Sequence, residues 1–281
     1  MFGKNQIIGK KYFKDAPDNQ LLVTSIFYTL QGEGPFRGRP AVFVRLSKCN
    51  LACSFCDTYF DNGDWLTFDE IIDRINQVVD DFNDRNQTTI YGTKDLVLVI
   101  TGGEPSLQDN LLQFIELVNE HDLFAYVQIE SNGILNPPVP RDTIVVVSPK
   151  CVEDKDGNPL KYIRPNDLVI QRADCLKFVV SADPNSVYHT IPDWAFDFEG
   201  EVFVSPMNVY AREPQKAKQL RSEKNDISLE ERSTVDETID FWEEGLLDRT
   251  KNEANHKYAA LLCMQHGFTL NLQLHLYAGL A

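Results

Sequence analysis

The sequence has no apolar run approaching the ~18 residues that a membrane-spanning helix requires. Its opening stretch, MFGKNQIIGKKYFKD, lacks the apolar centre of a secretory signal, so a reducing, cytoplasmic setting is expected, with no membrane partner. Basic residues are in deficit: 27 Lys and Arg stand against 42 Asp and Glu, a net charge of −15. Such a chain repels a polyanion, which disfavours nucleic acid as a partner. The densest mixture of charge, residues 211–232, carries both signs and reads as a solvated surface. No internal repeat or low-complexity tract stands out. A long chain without a secretory signal is also a poor setting for a disulfide framework. What remains is ordinary globular composition, 43% hydrophobic and 25% charged, and 281 residues suit one large domain spanning 1–281.

Three cysteines dominate what is present. Cys49, Cys53 and Cys56 fall in KCNLACSFCDTYF with C-x3-C-x2-C spacing. Three thiolates this close can hold three irons of a [4Fe–4S] cluster and leave the fourth iron open. An open metal position can bind a cofactor or substrate. The competing reading is structural zinc, which normally closes four ligands with a second C-x2-C or with histidines. Here Cys151, Cys175 and Cys263 are scattered singly, and none of the five histidines lies near the triad. The single cysteines read as small buried hydrophobes.

Around this loop the chain alternates short apolar runs with helical stripes. Residues 41–46 (AVFVRL) read as a strand leading into the cysteines. In 67–82, Thr67 and Glu70 form a capping box, and Ile71, Ile72, Ile75, Val78, Val79 and Phe82 make one helical stripe. LVLVI (96–100) suits a strand buried on both faces. Residues 111–122 read as a helix, and FAYVQIE, TIVVVS, CLKFVV and EVFVS as further strands. Strands separated by helices argue for βα units and a parallel sheet. The prolines of NPPVP (136–140) preclude a helix in one crossover. The expectation is α/β, an incomplete (β/α) barrel, with an inserted helical segment at 208–257. Helices are expected at 234–247 and 251–265, the second stopped by Gly267.

In such sheets ligands sit at the carboxyl ends of strands. The cysteine loop, TGGEP (101–105), SNG (131–133), SPK (148–150) and SPMN (205–208) all fall at such ends. Gly102 and Gly103 would let backbone approach a ligand. Each motif taken alone also reads as a plain turn; their convergence on one face is the stronger signal.

The cysteine loop, with Phe55 before the last cysteine, resembles that of radical S-adenosylmethionine (SAM) enzymes, and GGE at 102–104 matches their SAM-binding motif. The stretch IFYTLQGEGPFRGRPAVFVRLSKCNLACSFCDTYF is similar to the N-terminal signature of 7-carboxy-7-deazaguanine synthases, the QueE family. TGGEPSLQ, ESNG, VVVSPK, LKFVV, VSPM and QLH (273–275) extend the likeness over most of the chain. The family converts 6-carboxy-5,6,7,8-tetrahydropterin to 7-carboxy-7-deazaguanine. The resemblance implies a [4Fe–4S] cluster on Cys49, Cys53 and Cys56, magnesium on Thr58, and SAM against Phe55, Cys56, Asp57, Gly102, Gly103, Glu104, Ser131, Ser148, Pro149, Lys150 and Ser205. It implies the pterin against Leu30, Gln31, Gly32, Glu33, Arg45, Thr101 and His275. A flavodoxin- or ferredoxin-type electron donor and a homodimer follow from the same likeness. Met207 departs from the glutamine common after VSP, and the 208–257 insertion is longer than in minimal members. A glycyl-radical activase would share the triad and GGE but has no use for QGEG, Arg45 and Cys-Asp-Thr. A non-catalytic iron–sulfur or zinc scaffold is the alternative outside enzymes.

Overall fold

A computed structural model of the chain describes residues 16–58, 60–90, 92–212, 228–237 and 244–280. The strands are β1 (Gln20–Leu30), β2 (Pro40–Leu46), β3 (Asp64–Thr67), β4 (Val97–Gly102), β5 (Tyr126–Ser131), β6 (Ile144–Val147), β7 (Cys151–Glu153), β8 (Pro159–Tyr162), β9 (Cys175–Val180), β10 (Glu201–Pro206) and β11 (Thr269–Leu270). Nine of them form one sheet in the order β11-β10-β9-β6-β5-β4-β2-β1-β3, and β7 and β8 pair as a separate hairpin. From β2 to β11 along that sheet the neighbours are parallel. β1 is antiparallel to both β2 and β3.

The sheet curls. β1 and β9 are separated by four strands, so on a flat sheet they would stand roughly 24 Å apart. Yet Glu33, just beyond β1, lies 3.0 Å from Lys177 of β9. The edge strands β11 and β3 are not paired with each other. Instead the chain after β11 reaches the mouth: Gly34 N donates to Asn271 Oδ1 (2.8 Å) and Leu274 N to the Gly32 carbonyl (3.3 Å). The α/β, incomplete (β/α) barrel expected from the sequence is the observed architecture.

Helix α1 (Phe68–Asn86) begins at the Thr67–Glu70 capping box and buries Phe68, Ile71, Ile75, Val78 and Val79. Helix α2 (Leu111–Glu120) buries Leu111, Phe114, Ile115 and Val118. These apolar faces join Val42, Val44, Leu98, Ile100 and Ile129 in the outer core between helices and sheet. The opposite face holds a smaller apolar plug of Phe27, Ala41, Phe43, Val97 and Val99. The polar cavity opens above that plug, at the carboxyl ends of the strands. No helix spans the chain between β5 and β6, as the prolines there dictate.

The inserted region differs from expectation in its first helix. It runs Leu229–Glu237 (α4), after the short α3 (Asp167–Arg172), not over 234–247. Residues 238–243 of the expected helix lie outside the described residues, and residues 244–246 form a turn. The helix start follows from a second capping box: Ser228 Oγ accepts from Glu231 N (3.2 Å) and Glu231 Oε2 accepts from Ser228 N (2.9 Å). Arg232, expected on a solvated surface, is only 7% exposed. It donates to the Thr24 carbonyl (2.6 Å) and pairs with Asp64, so α4 is pinned across β1 and β3. Most of the remainder of 211–232, residues 213–227, lies outside the described residues. The next helix, α5 (Arg249–His266), ends at Gly267, whose φ of 75° is the left-handed C-terminal geometry expected of glycine. Among the described residues no helix is long and apolar enough to cross a membrane.

Candidate active site

The cysteine loop leaves β2 under tight control. Lys48 N donates to the Phe60 carbonyl (2.8 Å) and Ser47 N to the Leu22 carbonyl (2.9 Å), closing the base of the loop. Within it, Cys56 N donates to the Cys53 carbonyl (3.1 Å), a turn that brings these two cysteines round. All three thiols face one cavity of about 260 Å³. Burial pushes the Cys49 thiol up to about 12 and Cys53 to about 11, and raises Cys56 as well. Thiolates here therefore depend on a bound cationic centre, and loading it displaces their protons.

Among the described residues no three His, Cys, Asp or Glu side chains already gather as ligands to a single ion. In a cluster each thiolate takes a different iron, so three sulfurs spread around one cavity suit that guest better than zinc. The surroundings suit it too. Leu51 N points at Cys49 Sγ (3.4 Å), and Asn132 Nδ2 approaches it (3.8 Å) while donating to Asn50 Oδ1 (2.7 Å). Asn50 Nδ2 is buried without an acceptor, which the sulfides of a cluster would supply.

The strand ends form the rest of the wall. Thr101 and Gly102 of β4 and Gly103 just beyond it, Glu130 and Ser131 from β5, Ser148 and Lys150 after β6, Lys177 of β9 and Ser205 of β10 all line the cavity. The glycines also have a packing reason. A Cβ on Gly103 would stand 1.7 Å from the Lys48 carbonyl, and one on Gly102, at φ +123°, 2.1 Å from that of Leu46. The missing side chains let β4 press on the base of the cysteine loop. Gly32 likewise makes room for His275, whose Nδ1 would lie 1.9 Å from a Cβ there.

Glu104 lies fully buried outside the lining, with both carboxylate oxygens engaged. Oε1 accepts from Ser106 N (3.0 Å), Ser106 Oγ (2.6 Å) and Ser131 Oγ (2.8 Å), and Oε2 from Asn132 N (2.7 Å). Burial still lifts its pKa above the usual carboxylate range. The Ser131 hydroxyl is thereby committed to Glu104. Lys150 Nζ donates to the Ser148 carbonyl (2.7 Å) and hydroxyl (2.6 Å), and burial lowers its pKa.

Of the expected pterin contacts, Gln31, Glu33, Arg45, Thr101 and His275 line the cavity beside Phe55, Asp57 and Thr58, and Leu30 and Gly32 do not; of the expected SAM contacts, Glu104 and Pro149 do not. Arg45 Nη1 donates to Thr58 Oγ1 (2.8 Å), which donates to Asp57 Oδ1 (3.1 Å), and the Arg45 guanidinium stacks 5.4 Å from the centre of the Phe27 ring. Gln273 Nε2 donates to Asp57 Oδ2 (3.3 Å) and its Oε1 accepts from Asn208 Nδ2 (2.5 Å). The half-buried His275 is held neutral, its pKa pushed down to about 4 by burial against the pull of Asp57, and its Nδ1 has no hydrogen-bond partner.

Several lining residues were given no individual role from the sequence: Lys177 and Tyr210, and Glu130, Asn132, Asn208 and Gln273, which fall inside motifs it singled out. Two carry a signal. Lys177 interrupts the apolar run CLKFVV, and Glu130 closes FAYVQIE, where a buried strand has little use for a charge.

Comparison with known proteins decides the family. The chain is 33% identical over 231 residues to a 7-carboxy-7-deazaguanine synthase of Rickettsia prowazekii, covering 82% of this chain and 87% of that protein. This chain belongs to the 7-carboxy-7-deazaguanine synthase family. A synthase of Bacteroides thetaiotaomicron is 36% identical over 172 residues, 60% of this chain and 76% of its own length. The radical SAM superfamily profile matches residues 44–144, from β2 through the cysteine loop to the start of β6. That superfamily carries a [4Fe–4S] cluster and SAM, the guest that Cys49, Cys53 and Cys56 suit. The crystal structure of QueE from Escherichia coli shares the fold, with a TM-score of 0.51 at 21% identity, covering 90% of this chain and 93% of that one.

Proposed function

We propose that this chain converts 6-carboxy-5,6,7,8-tetrahydropterin to 7-carboxy-7-deazaguanine, contracting the ring and releasing ammonia, on a route to deazapurines such as queuosine. One observation carries the reading: a single cavity joins the three-cysteine loop to a separate polar wall of Gln31, Glu33, Arg45, Glu130 and Lys177. A bare iron–sulfur or zinc scaffold has no need of that wall. A glycyl-radical activase needs room for a polypeptide, whereas this wall suits a small heterocycle.

When bound, the cluster and SAM supply hydrogen-atom abstraction from the substrate. The chain's own residues bind and orient. Arg45, held by Phe27 and Thr58, clamps the substrate carboxylate. Thr58 and Asp57 offer hard oxygen donors for magnesium at the same carboxylate, and the substrate's negative charge keeps the metal and the guanidinium compatible. Backbone and carboxylate groups of the QGEG turn face the ring edge. Lys150 and Ser148 meet the polar part of SAM, and Phe55 meets its apolar side. The family likeness further supports a flavodoxin- or ferredoxin-type electron donor and a homodimer acting in the cytoplasm.

Anaerobic reconstitution tests the cluster half of this reading. Wild type should turn brown and bleach on dithionite, and Cys53→Ala should stay colourless and cleave no SAM. A Cys53→Ala protein with wild-type iron and SAM cleavage would remove the cluster from the loop.

A further inference from the structure

The strongest unexplained feature is a buried charge triad. Lys177 Nζ lies 3.0 Å from Glu33 Oε2 and 2.8 Å from Glu130 Oε2, with side-chain exposures of 7%, 15% and 14%. Burying three charges is expensive, and such triads are weak stabilisers compared with apolar packing of the same volume. The arrangement therefore needs a reason other than stability.

Its hydrogen bonds supply one. A carboxylate has about four acceptor sites. Glu33 accepts from Lys177 and, through Oε1, from Asn271 Nδ2 (3.1 Å). Glu130 accepts from Lys177 and, through Oε1, from Gln31 Nε2 (3.2 Å) and Gln128 Nε2 (3.2 Å). Gln31 also accepts from Glu33 N (3.0 Å), so one side chain spaces the two carboxylates. Each of these partners is a donor, acceptor capacity remains on both carboxylates, and both line the cavity. What fits such a pair is a planar edge with two neighbouring N–H groups.

We propose that Lys177 is a positioning residue that sets ligand specificity, holding Glu33 and Glu130 side by side as paired acceptors for the amino and ring N–H groups of a 2-amino-4-oxopyrimidine edge and thereby rejecting the 2-oxo counterpart. This rests on the pterin reading above. A 2-oxo group would turn an acceptor toward the carboxylates, which disfavours it strongly.

The charges around the triad fix the role of Lys177. Burial raises Glu33 and Lys177 opposes it; for Glu130 burial also works upward, but Lys177 and Gln31 outweigh it and hold it below the usual range. The two carboxylates in turn outweigh the burial of Lys177 and raise it. The other titratable groups facing the triad are Lys150 after β6, Asp57 beside the cysteine loop, Cys175 at the start of β9 and His275 near the C-terminus. Without Lys177 the two buried carboxylates face each other with no cation between them, which favours a shared proton, and the protonated one ceases to be a full acceptor. Raising the pH removes that proton and restores it.

The test is equilibrium binding of 6-carboxypterin and 6-carboxylumazine to the reconstituted, SAM-loaded protein, read by ligand fluorescence from about pH 6 to pH 8. The ratio to wild type at each pH cancels the ligand's own titration. Wild type should prefer the pterin by at least about tenfold. Lys177→Met should bind it about tenfold more weakly at the acid end and recover toward wild type at the alkaline end. Glu130→Gln should weaken pterin binding at every pH and narrow the preference. A Lys177→Met protein whose ratio to wild type does not vary with pH would overturn the proposal. If that variant fails to take up a cluster, Glu130→Gln decides alone, and an unchanged preference overturns it. Wild type that binds neither compound would sink the pterin reading along with this one; wild type that binds the pterin, with variants that match it, would sink only this one.

Discussion

Glu104→Gln separates a structural carboxylate from a ligand contact. The side chain keeps its volume and loses one acceptor. The amide oxygen can serve Ser106 and Ser131, as Oε1 does now. The amide nitrogen then faces Asn132 N, which Oε2 accepts from at 2.7 Å, and two donors point at each other. A buried N–H left without an acceptor costs about 1–3 kcal/mol. Removing a buried charge whose pKa burial has already raised offsets part of the loss of charge-assisted bonds. The net expectation is a destabilisation of about 2 kcal/mol. For a chain of this size that lowers Tm by roughly 5 °C. The assay is thermal unfolding of the reduced, cluster-free protein followed by circular dichroism, with no SAM present. The same substitution should loosen Asn132 from Asn50 and slow cluster uptake, because that contact joins β5 to the cysteine loop. An unchanged Tm without ligand, with a difference only when SAM is added, would refute the argument and make Glu104 a ligand contact alone.

Arg45→Ala should retain cluster and SAM cleavage and bind the pterin about tenfold to a hundredfold more weakly, the loss of a charge-assisted bond, measured by KM against kcat; Thr58→Ala should instead blunt the response to added magnesium. His275→Gln should flatten part of the pH dependence of stability. The histidine is neutral in the fold down to about pH 4 and protonates near 6.5 when unfolded, so its contribution is complete above pH 6.5 and is lost as pH falls toward 4. Discounted for partial exposure, it amounts to about 2 kcal/mol, read as the pH slope of unfolding free energy in wild type minus variant; equal slopes would contradict it. Arg232→Met should cost about 2 kcal/mol in chemical denaturation, mostly from the unsatisfied Thr24 carbonyl, since Asp64 is half exposed; unchanged stability would mean α4 does not depend on this anchor.

The parts of the fold that could be read from the sequence are those with a period or a cap. The stripe of α1, its Thr67 box and the buried run CLKFVV stand in the structure where the sequence puts them. β1 was not legible. It is buried along most of its length, with Thr24, Ser25 and Thr29 among the buried residues, so it shows neither alternation nor a clean apolar run. The start of α4 was legible in principle from Ser228 and Glu231, but the charged residues beside it read as a surface. In the site, turns and cysteines speak through spacing, whereas the triad does not. Glu33, Glu130 and Lys177 lie far apart in sequence and meet only because the sheet curls, which no local pattern encodes. The cavity also takes Asn208 and Tyr210 from the base of the inserted region, so that region is not wholly outside the site.

The most direct test of the account is anaerobic incubation of the reconstituted protein with 6-carboxy-5,6,7,8-tetrahydropterin, SAM, magnesium and a reductant, with products followed by mass spectrometry. The account predicts a product lighter than the substrate by one ammonia and absent when any of the cluster, SAM or reductant is omitted. A protein that carries its cluster and cleaves SAM yet leaves the pterin unchanged would contradict it.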